Sequence, residues 1–366
     1  MQIKAAIFRE PQIPFSIEEV ELDAPRAGEV LVRMRAAGVC HSDWHLVTAA
    51  TRFPTPAVPG HEGAGIVVET GPGVTRVAAG DHVALNWAPS CGLCFYCSRG
   101  QPGLCATYKE ANWAGTLLDG TTRLSQNGAP VYHFSTTACF AEYTVVPDVC
   151  CVPLPPDVPS AIAALIGCAV TTGFGAVVNR AKVEPGSSVA VFGAGGVGLS
   201  IVMAACLAGA APVIVVDTNP EKLAIAAMCG ATDGLIADES VIEQIHAQTD
   251  GRGADYVFEA VGISTLQEQC LHAARPGGTV ILAGISPTGS TTNFPGALLT
   301  RQEKTVAGTY YGSANPIRDF PRIADLYRRG QLPLDRLISA TYPLERINEA
   351  YAEMLTGKIA RGIIAF

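Results

Sequence analysis

The chain has 366 residues, of which 16% are charged and 48% hydrophobic, with 38 glycines and a formal net charge of −8. That length suggests two domains with ample material for their cores, and the composition excludes a disordered chain. An acidic balance without a basic cluster speaks against nucleic acid or an anionic membrane as a partner.

The opening stretch MQIKAAIFREPQIPF has no long apolar run after its lysine, so it does not read as a signal peptide. Twelve cysteines in such a chain argue for a reducing compartment, and we expect a cytoplasmic protein. Clustered thiols there act as metal ligands rather than disulfides.

From Ile3 to about Val149 the pattern is short strands separated by Gly or Pro. Strands are predicted over Ile3–Phe8, Phe15–Val20, Val30–Met34, Ile66–Glu69 and His82–Leu85, with turns at Gly71-Pro72-Gly73 and Gly80-Asp81. This part is β-rich and fits a partly open barrel. Two polar motifs interrupt it: Cys40-His41-Ser42-Asp43-Trp44-His45 and Gly60-His61-Glu62-Gly63. Each, read alone, also fits a turn or a capped loop.

Cys91-x2-Cys94-x2-Cys97-x7-Cys105 follows. Four thiolates this close, on a Gly- and Pro-bearing loop, can converge on one tetrahedral zinc and leave no open position, so the role is structural. An iron–sulfur cluster of ferredoxin type closes with x3 and Cys-Pro, and neither is present. Further on, the uncharged run Val158–Asn179 carries Cys168 and reads as buried core, where a cysteine is ordinarily a small hydrophobe.

From about Val170 strands and helices alternate. The centre of this half is Val189–Asp217, uncharged as far as Val216. Its length suggests a membrane helix, which needs about 20 apolar residues, but crowded glycines argue for strand, turn, helix and strand. We place strands at Val189–Phe192 and Val213–Val216 around a helix at Val197–Leu207. The turn Gly193-Ala194-Gly195-Gly196-Val197-Gly198 fits G-x-G-x-x-G, and Asp217 stands nineteen residues after Gly198. Gly193 permits a tight turn, Gly195 lets the backbone approach a pyrophosphate, and Gly198 lets the helix pack on the sheet. The helix N-terminus favours the anion, and Asp217 would accept from both ribose hydroxyls.

Asn219-Pro220-Glu221 opens the next helix, which stops at Gly230. Further elements are predicted at Ser240–Gln248 (helix), Asp255–Glu259 (strand), a helix to Ala274 with Ser264 and Gln267 as a capping box, and Thr279–Ala283 (strand). With a further strand near Thr305–Gly308, the alternation fits a doubly wound parallel Rossmann sheet. Helices near Arg318–Arg329 and Arg346–Leu355 and the strand-like Gly362–Phe366 are assigned back to the first domain. The expected organisation is 1–169 with 311–366 for one domain, and 170–310 for the dinucleotide-binding domain.

In order, C-H-S-D, G-H-E-G-A-G, the four-cysteine lobe, F-A-E-Y-T-V-V at Phe140–Val146, L-I-G-C at Leu165–Cys168, G-A-G-G-V-G, V-D-T-N-P-E-K and G-K-I-A-R-G-I-I resemble the zinc-dependent medium-chain alcohol dehydrogenases. The match spans nearly the whole chain. The resemblance implies a GroES-like catalytic domain beside the Rossmann domain. It implies a catalytic zinc on Cys40, His61 and Cys168, and hence two zincs per chain. Two thiolates and a neutral imidazole leave that metal formally neutral, with a fourth position for water or alcohol. The metal lowers the pKa of a bound hydroxyl, and a hydride then passes from the carbinol carbon of the zinc-bound alkoxide to the nicotinamide.

By the same resemblance, Asp43 would fix the tautomer of His61, and Glu62 lies close behind the metal. Ser42 would take the alcohol proton and, through the cofactor ribose, hand it to His45. His41 and Arg361 match positions that contact the pyrophosphate, and Lys222 reaches the adenosine ribose. Asp217 repels a 2′-phosphate and no arginine follows it, so NAD is expected rather than NADP. Trp87 and Phe134 should line the substrate pocket. Two aromatics make a slot for flat, primary alcohols, aromatic or allylic.

The nearest alternative is an S-(hydroxymethyl)glutathione (formaldehyde) dehydrogenase. It needs a basic group for the glutathione carboxylate, and no arginine lies between Ala106 and Asp119. A zinc-ribbon binding module would leave Cys40, His61 and Cys168 unexplained. The long segment Ala106–Ala138 resembles the dimeric branch, so a homodimer through the edge of the nucleotide sheet is implied.

Overall fold

The computed structural model describes residues 1–366. One unit is built from two mostly antiparallel sheets that curl against each other, each with one parallel pair: Ala57–Val58 beside Ala129–His133, and Ile338–Pro343 beside Arg361–Ala365. One runs Gln2–Ile7, Ser16–Leu22, Leu124–Gln126, Ala129–His133 and Ala57–Val58. The other runs Cys151–Pro153, His82–Leu85, Gly63–Thr70, Glu29–Gly38, Arg361–Ala365 and Ile338–Pro343, and Tyr143–Pro147 also pairs with Glu29–Gly38. Single bridges at Ala5–Ala141 and Phe8–Ala57 close part of the gap, giving the partly open barrel. The chain end joins this sheet: Ile363–Ala365 pair antiparallel with Gly38–Ala36, directly before the Cys40 motif.

The second unit is the doubly wound parallel sheet. From one edge to the other its strands are Asp233–Ile236, Val213–Asp217, Val189–Phe192, Ala254–Glu259, Ala274–Leu282 and Thr305–Gly308. The order reverses between the strands that start at Val189 and Ala254. That switch point is where a doubly wound sheet opens a crevice at its strand ends. Val189–Phe192 is buried on both faces, which explains its unbroken apolar sequence. Asp233–Ile236 alternates weakly, and its run Asp-Gly-Leu-Ile carried no strand signal strong enough to single it out.

Local signals mostly hold. Asn219 caps the helix Pro220–Met228, its Oδ1 accepting from Glu221 N at 2.8 Å. The capping box at Ser264 does not form. Ile263 occupies the cap, Ser264 is already helical, and Gln267 turns into the core to donate to Ser286 Oγ at 2.8 Å. Burial of Gln267 outweighed the local cap.

The apolar run forms a continuous helical segment, Ser160–Ala181. Length and composition would let it cross a membrane, but it is packed inside the protein between the two units. It widens to π-helical turns over Ile166–Val170 and Ala176–Ala181. The first of these carries Cys168.

His133 is fully buried, its Nε2 accepting from Arg123 N at 3.1 Å. Burial, then the Arg123 guanidinium, pushes its pKa down to about 3. The unfolded chain therefore binds this proton first. Stability from His133 should be complete above pH 6.5 and fall below it, by about 1.4 kcal/mol per pH unit for one proton. Thermal melts between pH 7 and 4 should show a shallower decline in His133→Gln. Parallel declines would exclude His133 as a source of acid sensitivity.

Candidate active site

The short helix His41–Val47 starts at the Cys40 cap, two residues beyond the end of the strand Glu29–Gly38. Its other face is clamped by aromatics. Trp44 stacks on Tyr351 at 5.2 Å, and Phe15 meets both edge-on at 6.5 and 5.3 Å. Each such pair adds about 0.5–1.5 kcal/mol beyond burial. The clamp leaves His41, Ser42 and His45 lining a cavity of about 640 Å³ between the two units.

Cys40, His61 and Cys168 line the same cavity. His61 is buried with its Nδ1 3.1 Å from Asp43 Oδ1, and Asp43 in turn accepts from Gly60 N at 2.8 Å. His61 Nε2 is left buried with no hydrogen-bond partner. A buried imidazole nitrogen without a partner is costly, and a metal on its lone pair removes that cost. The ligand atoms of Cys40, His61 and Glu62 lie within 4.8 Å of one another. The Cys40 thiol is held well below its usual range, first by a hydrogen bond from Cys168 and then by the His61 and Arg361 charges. The same pairing, with burial, raises Cys168. Cys40 and His61, with the Cys168 sulfur hydrogen-bonded to Cys40, offer two sulfurs and one free imidazole nitrogen, a donor set that fits a zinc ion.

Glu62 stands behind this group. Its Oε2 accepts from Arg361 Nη2, while Oε1 lies 3.9 Å from His61 Nε2 with no donor of its own. Arg361 is buried and commits its guanidinium to Glu62, so the structure gives it a second employment beyond the expected phosphate contact. It also crosses the glycine turn, where a Cβ at Gly196 would meet Arg361 Cδ at 2.4 Å. Ser42 Oγ is 3.7 Å from Cys40 Sγ. Ser42 and His45 share the cavity, three residues apart on one helix, with no direct hydrogen bond between them.

The glycine turn and Asp217 line the same cavity. Gly193 is left-handed at φ +100°, as the tight turn requires. A Cβ at Gly198 would meet Gly193 O at 1.7 Å, whereas at Gly195 it would meet nothing within 4 Å. Gly198 thus serves helix packing and Gly195 faces open cavity. Asp217 Oδ2 accepts from Ala194 N at 2.8 Å and Oδ1 from Asn219 N at 2.9 Å, so the carboxylate is held in place by the turn it faces. Gly193, Gly195, Gly196, Val197, Asp217, Lys222 and Arg361 all line the cavity.

Trp87 and Phe134 flank His61, each ring 6.1 Å from the imidazole and nearly perpendicular to it. Phe53 meets Phe134 at 5.1 Å, and Tyr310 meets Trp87 at 5.3 Å. Phe53, Asn112, Trp113, Tyr310 and Tyr311 also line the cavity, and sequence reasoning missed them. Only the adjacent pair Tyr310-Tyr311, just past the last strand, offered a signal. Phe53 sits on a loop, and Asn112 and Trp113 lie on the helix Ala106–Ala114.

Cys91, Cys94, Cys97 and Cys105 converge apart from this cavity, their sulfurs within 4.8 Å of one another. Backbone N–H groups of Cys94 and Leu93 donate to Cys91 Sγ at 3.3 and 3.5 Å, and that of Cys91 to Cys105 Sγ at 3.3 Å. Donors stabilise thiolates: a hydrogen bond from Thr107, then those from the Leu93 and Cys94 N–H groups, bring the Cys91 thiol down to about 6. The closed four-sulfur set fits a structural zinc.

Residues 26–156 match the family model described as the alcohol dehydrogenase GroES-like domain, and residues 196–329 match that of the zinc-binding dehydrogenase. The chain is 38% identical over 370 residues to an NDMA-dependent alcohol dehydrogenase of Amycolatopsis methanolica, covering 100% of this chain and 99% of that protein. It is 38% identical over 372 residues to an S-(hydroxymethyl)glutathione dehydrogenase of Synechocystis sp., covering 100% of each. The benzyl alcohol dehydrogenase structure from Acinetobacter calcoaceticus superposes with a TM-score of 0.95 at 32% identity, covering 100% of this chain and 99% of that one. The chain belongs to the zinc-dependent medium-chain alcohol dehydrogenase family, and it is an alcohol dehydrogenase of the GroES-like and Rossmann type.

Proposed function

We propose that this alcohol dehydrogenase uses NAD to interconvert flat primary alcohols, aromatic or allylic, and their aldehydes. The observation that carries the reading is one cavity lined together by the Cys40, His61 and Cys168 donors, by Trp87 and Phe134, and by the glycine turn with Asp217. Zinc held by Cys40, His61 and Cys168 would supply Lewis acidity toward the substrate hydroxyl, and NAD would accept the hydride. The chain's own residues do the rest. Asp43 holds His61 so that Nε2 points its lone pair at the donor cluster. Ser42, beside Cys40, would take the hydroxyl proton, and His45, which lines the same cavity, would pass it on to solvent. Trp87 and Phe134 orient a planar group and exclude water. Asp217 disfavours a 2′-phosphate by charge. Cys91, Cys94, Cys97 and Cys105 would hold a second, structural zinc.

The exposed edge strand Thr305–Gly308 supports a homodimer that continues the sheet, and the free thiols support a reducing, cytoplasmic setting.

The test is the initial rate of NADH formation with benzyl alcohol and NAD, repeated with NADP and with Asp217→Asn. We expect a clear rate with NAD, at most about a hundredth of it with NADP, and a narrower gap in the variant. No rate with either nucleotide, in protein holding two zincs, would overturn the free-NAD aromatic reading. Similarity to the glutathione-linked and NDMA-dependent relatives names the next assays: formaldehyde with glutathione, then benzyl alcohol with NDMA as acceptor.

A further inference from the structure

Tyr311 stands in a backbone conformation that a bulky residue rarely adopts. Tyr311, Gly312 and Ser313 are consecutively left-handed, with φ of +54°, +66° and +50°. Such strain persists only where surrounding packing over-determines it. Here the packing is glycine against helix. A Cβ at Gly312 would meet the Thr171 and Thr172 carbonyls at 2.4 and 2.7 Å, and one at Gly175 would meet Gly312 O at 2.1 Å. The turn is therefore pressed onto the helix that carries Cys168.

The side chain uses this placement. The Tyr311 ring lies against Trp87, centroids 4.4 Å apart, and its buried hydroxyl donates to the Gly167 carbonyl. Gly167 immediately precedes Cys168, inside the widened π turn Ile166–Val170. Thr171 Oγ1 donates to the neighbouring Ile166 carbonyl at 2.7 Å. Two successive carbonyls of this turn thus receive side-chain hydroxyls. A π turn is a frequent device at functional sites, but it is a loose one. The hydroxyl of Tyr311 holds the peptide plane between Gly167 and Cys168, and with it the direction of the Cys168 Cα–Cβ bond that carries the sulfur.

We infer that Tyr311 is a positioning residue that holds the Cys168 sulfur in register with Cys40 and His61. It ties the segment leaving the nucleotide sheet to one donor of the proposed zinc site, and it rests on the zinc reading above. A phenylalanine would fill the same space and lose only the hydrogen bond, so the hydroxyl itself can be tested.

The experiment is zinc release from wild type and Tyr311→Phe, followed with a chromogenic chelator. Cobalt-substituted samples of both are compared by visible absorption. The four-cysteine metal serves as internal reference. We expect two zincs in both proteins, with one leaving the variant about tenfold faster, as losses behind a ligand typically do. The reference metal should leave at the wild-type rate, and the thiolate-to-cobalt band should shift. Wild-type release with an unshifted band would overturn the inference while leaving the zinc reading intact. Equal acceleration of both metals would also overturn it, since it would mean general loosening. Wild-type protein with only one zinc would overturn the zinc reading and this inference together.

Discussion

Replacing Cys40 with serine, or His61 with alanine, should lower kcat/KM for alcohol oxidation by about 10⁴-fold or more while the chain keeps its fold and its four-cysteine metal. Three observations combine here. His61 Nε2 is buried without a partner, Cys40 is held toward the thiolate by Cys168, and the ligand atoms of Cys40, His61 and Glu62 lie within 4.8 Å of one another. The backbone that carries them is held largely by other groups. Cys40 caps a helix held by the Trp44–Tyr351 stack, and Asp43 keeps its bond to Gly60 N. Loss of a donor should therefore remove a metal rather than the fold. Zinc analysis should fall from two per chain to one, with thermal melting shifted by only a few degrees. A variant that retained two zincs and worked within tenfold of wild type would sink the assignment.

The second expected result separates two glycines of one motif. Gly198→Ala should damage both stability and cofactor binding, because its Cβ would sit 1.7 Å from Gly193 O. That partner is backbone, so the strand-to-helix turn itself must move, at a cost of about 3 kcal/mol or more. Gly195→Ala should melt close to wild type, since its Cβ meets no protein atom within 4 Å. It should still weaken NAD binding by about 100-fold, because the methyl occupies space that a pyrophosphate needs. Melting temperature and NAD affinity for both variants check this. Wild-type affinity in Gly195→Ala would mean that no phosphate approaches that backbone.

Much of the nucleotide half was legible because its signals are local. A glycine turn between apolar strands, Asn219 before Pro220, and Asp217 at the end of the second strand all act within a few residues of themselves. Where a local signal failed, a distant partner decided. Ser264 and Gln267 read as a cap, yet Gln267 is drawn inward to Ser286 and Glu259. Asp233–Ile236 pairs as an edge strand although its sequence is nearly silent, because Val213–Asp217 offers it a ladder.

By itself the sequence determined the two-unit architecture, the four-cysteine cluster and the position of the glycine turn, since each depends on spacing along the chain. Only the tertiary structure decided what surrounds the candidate centre. Arg361 reaches Glu62 from the far end of the chain, and Tyr311 reaches Gly167 across 144 positions. Phe53, Trp113 and Tyr310 join one cavity from three separate segments. Those meetings follow from the closing of the barrel sheet by Arg361–Ala365 and from the burial of Ser160–Ala181 between the units. Hydrogen bonds and packing act across space with no period along the chain, so no pattern in the sequence announces them.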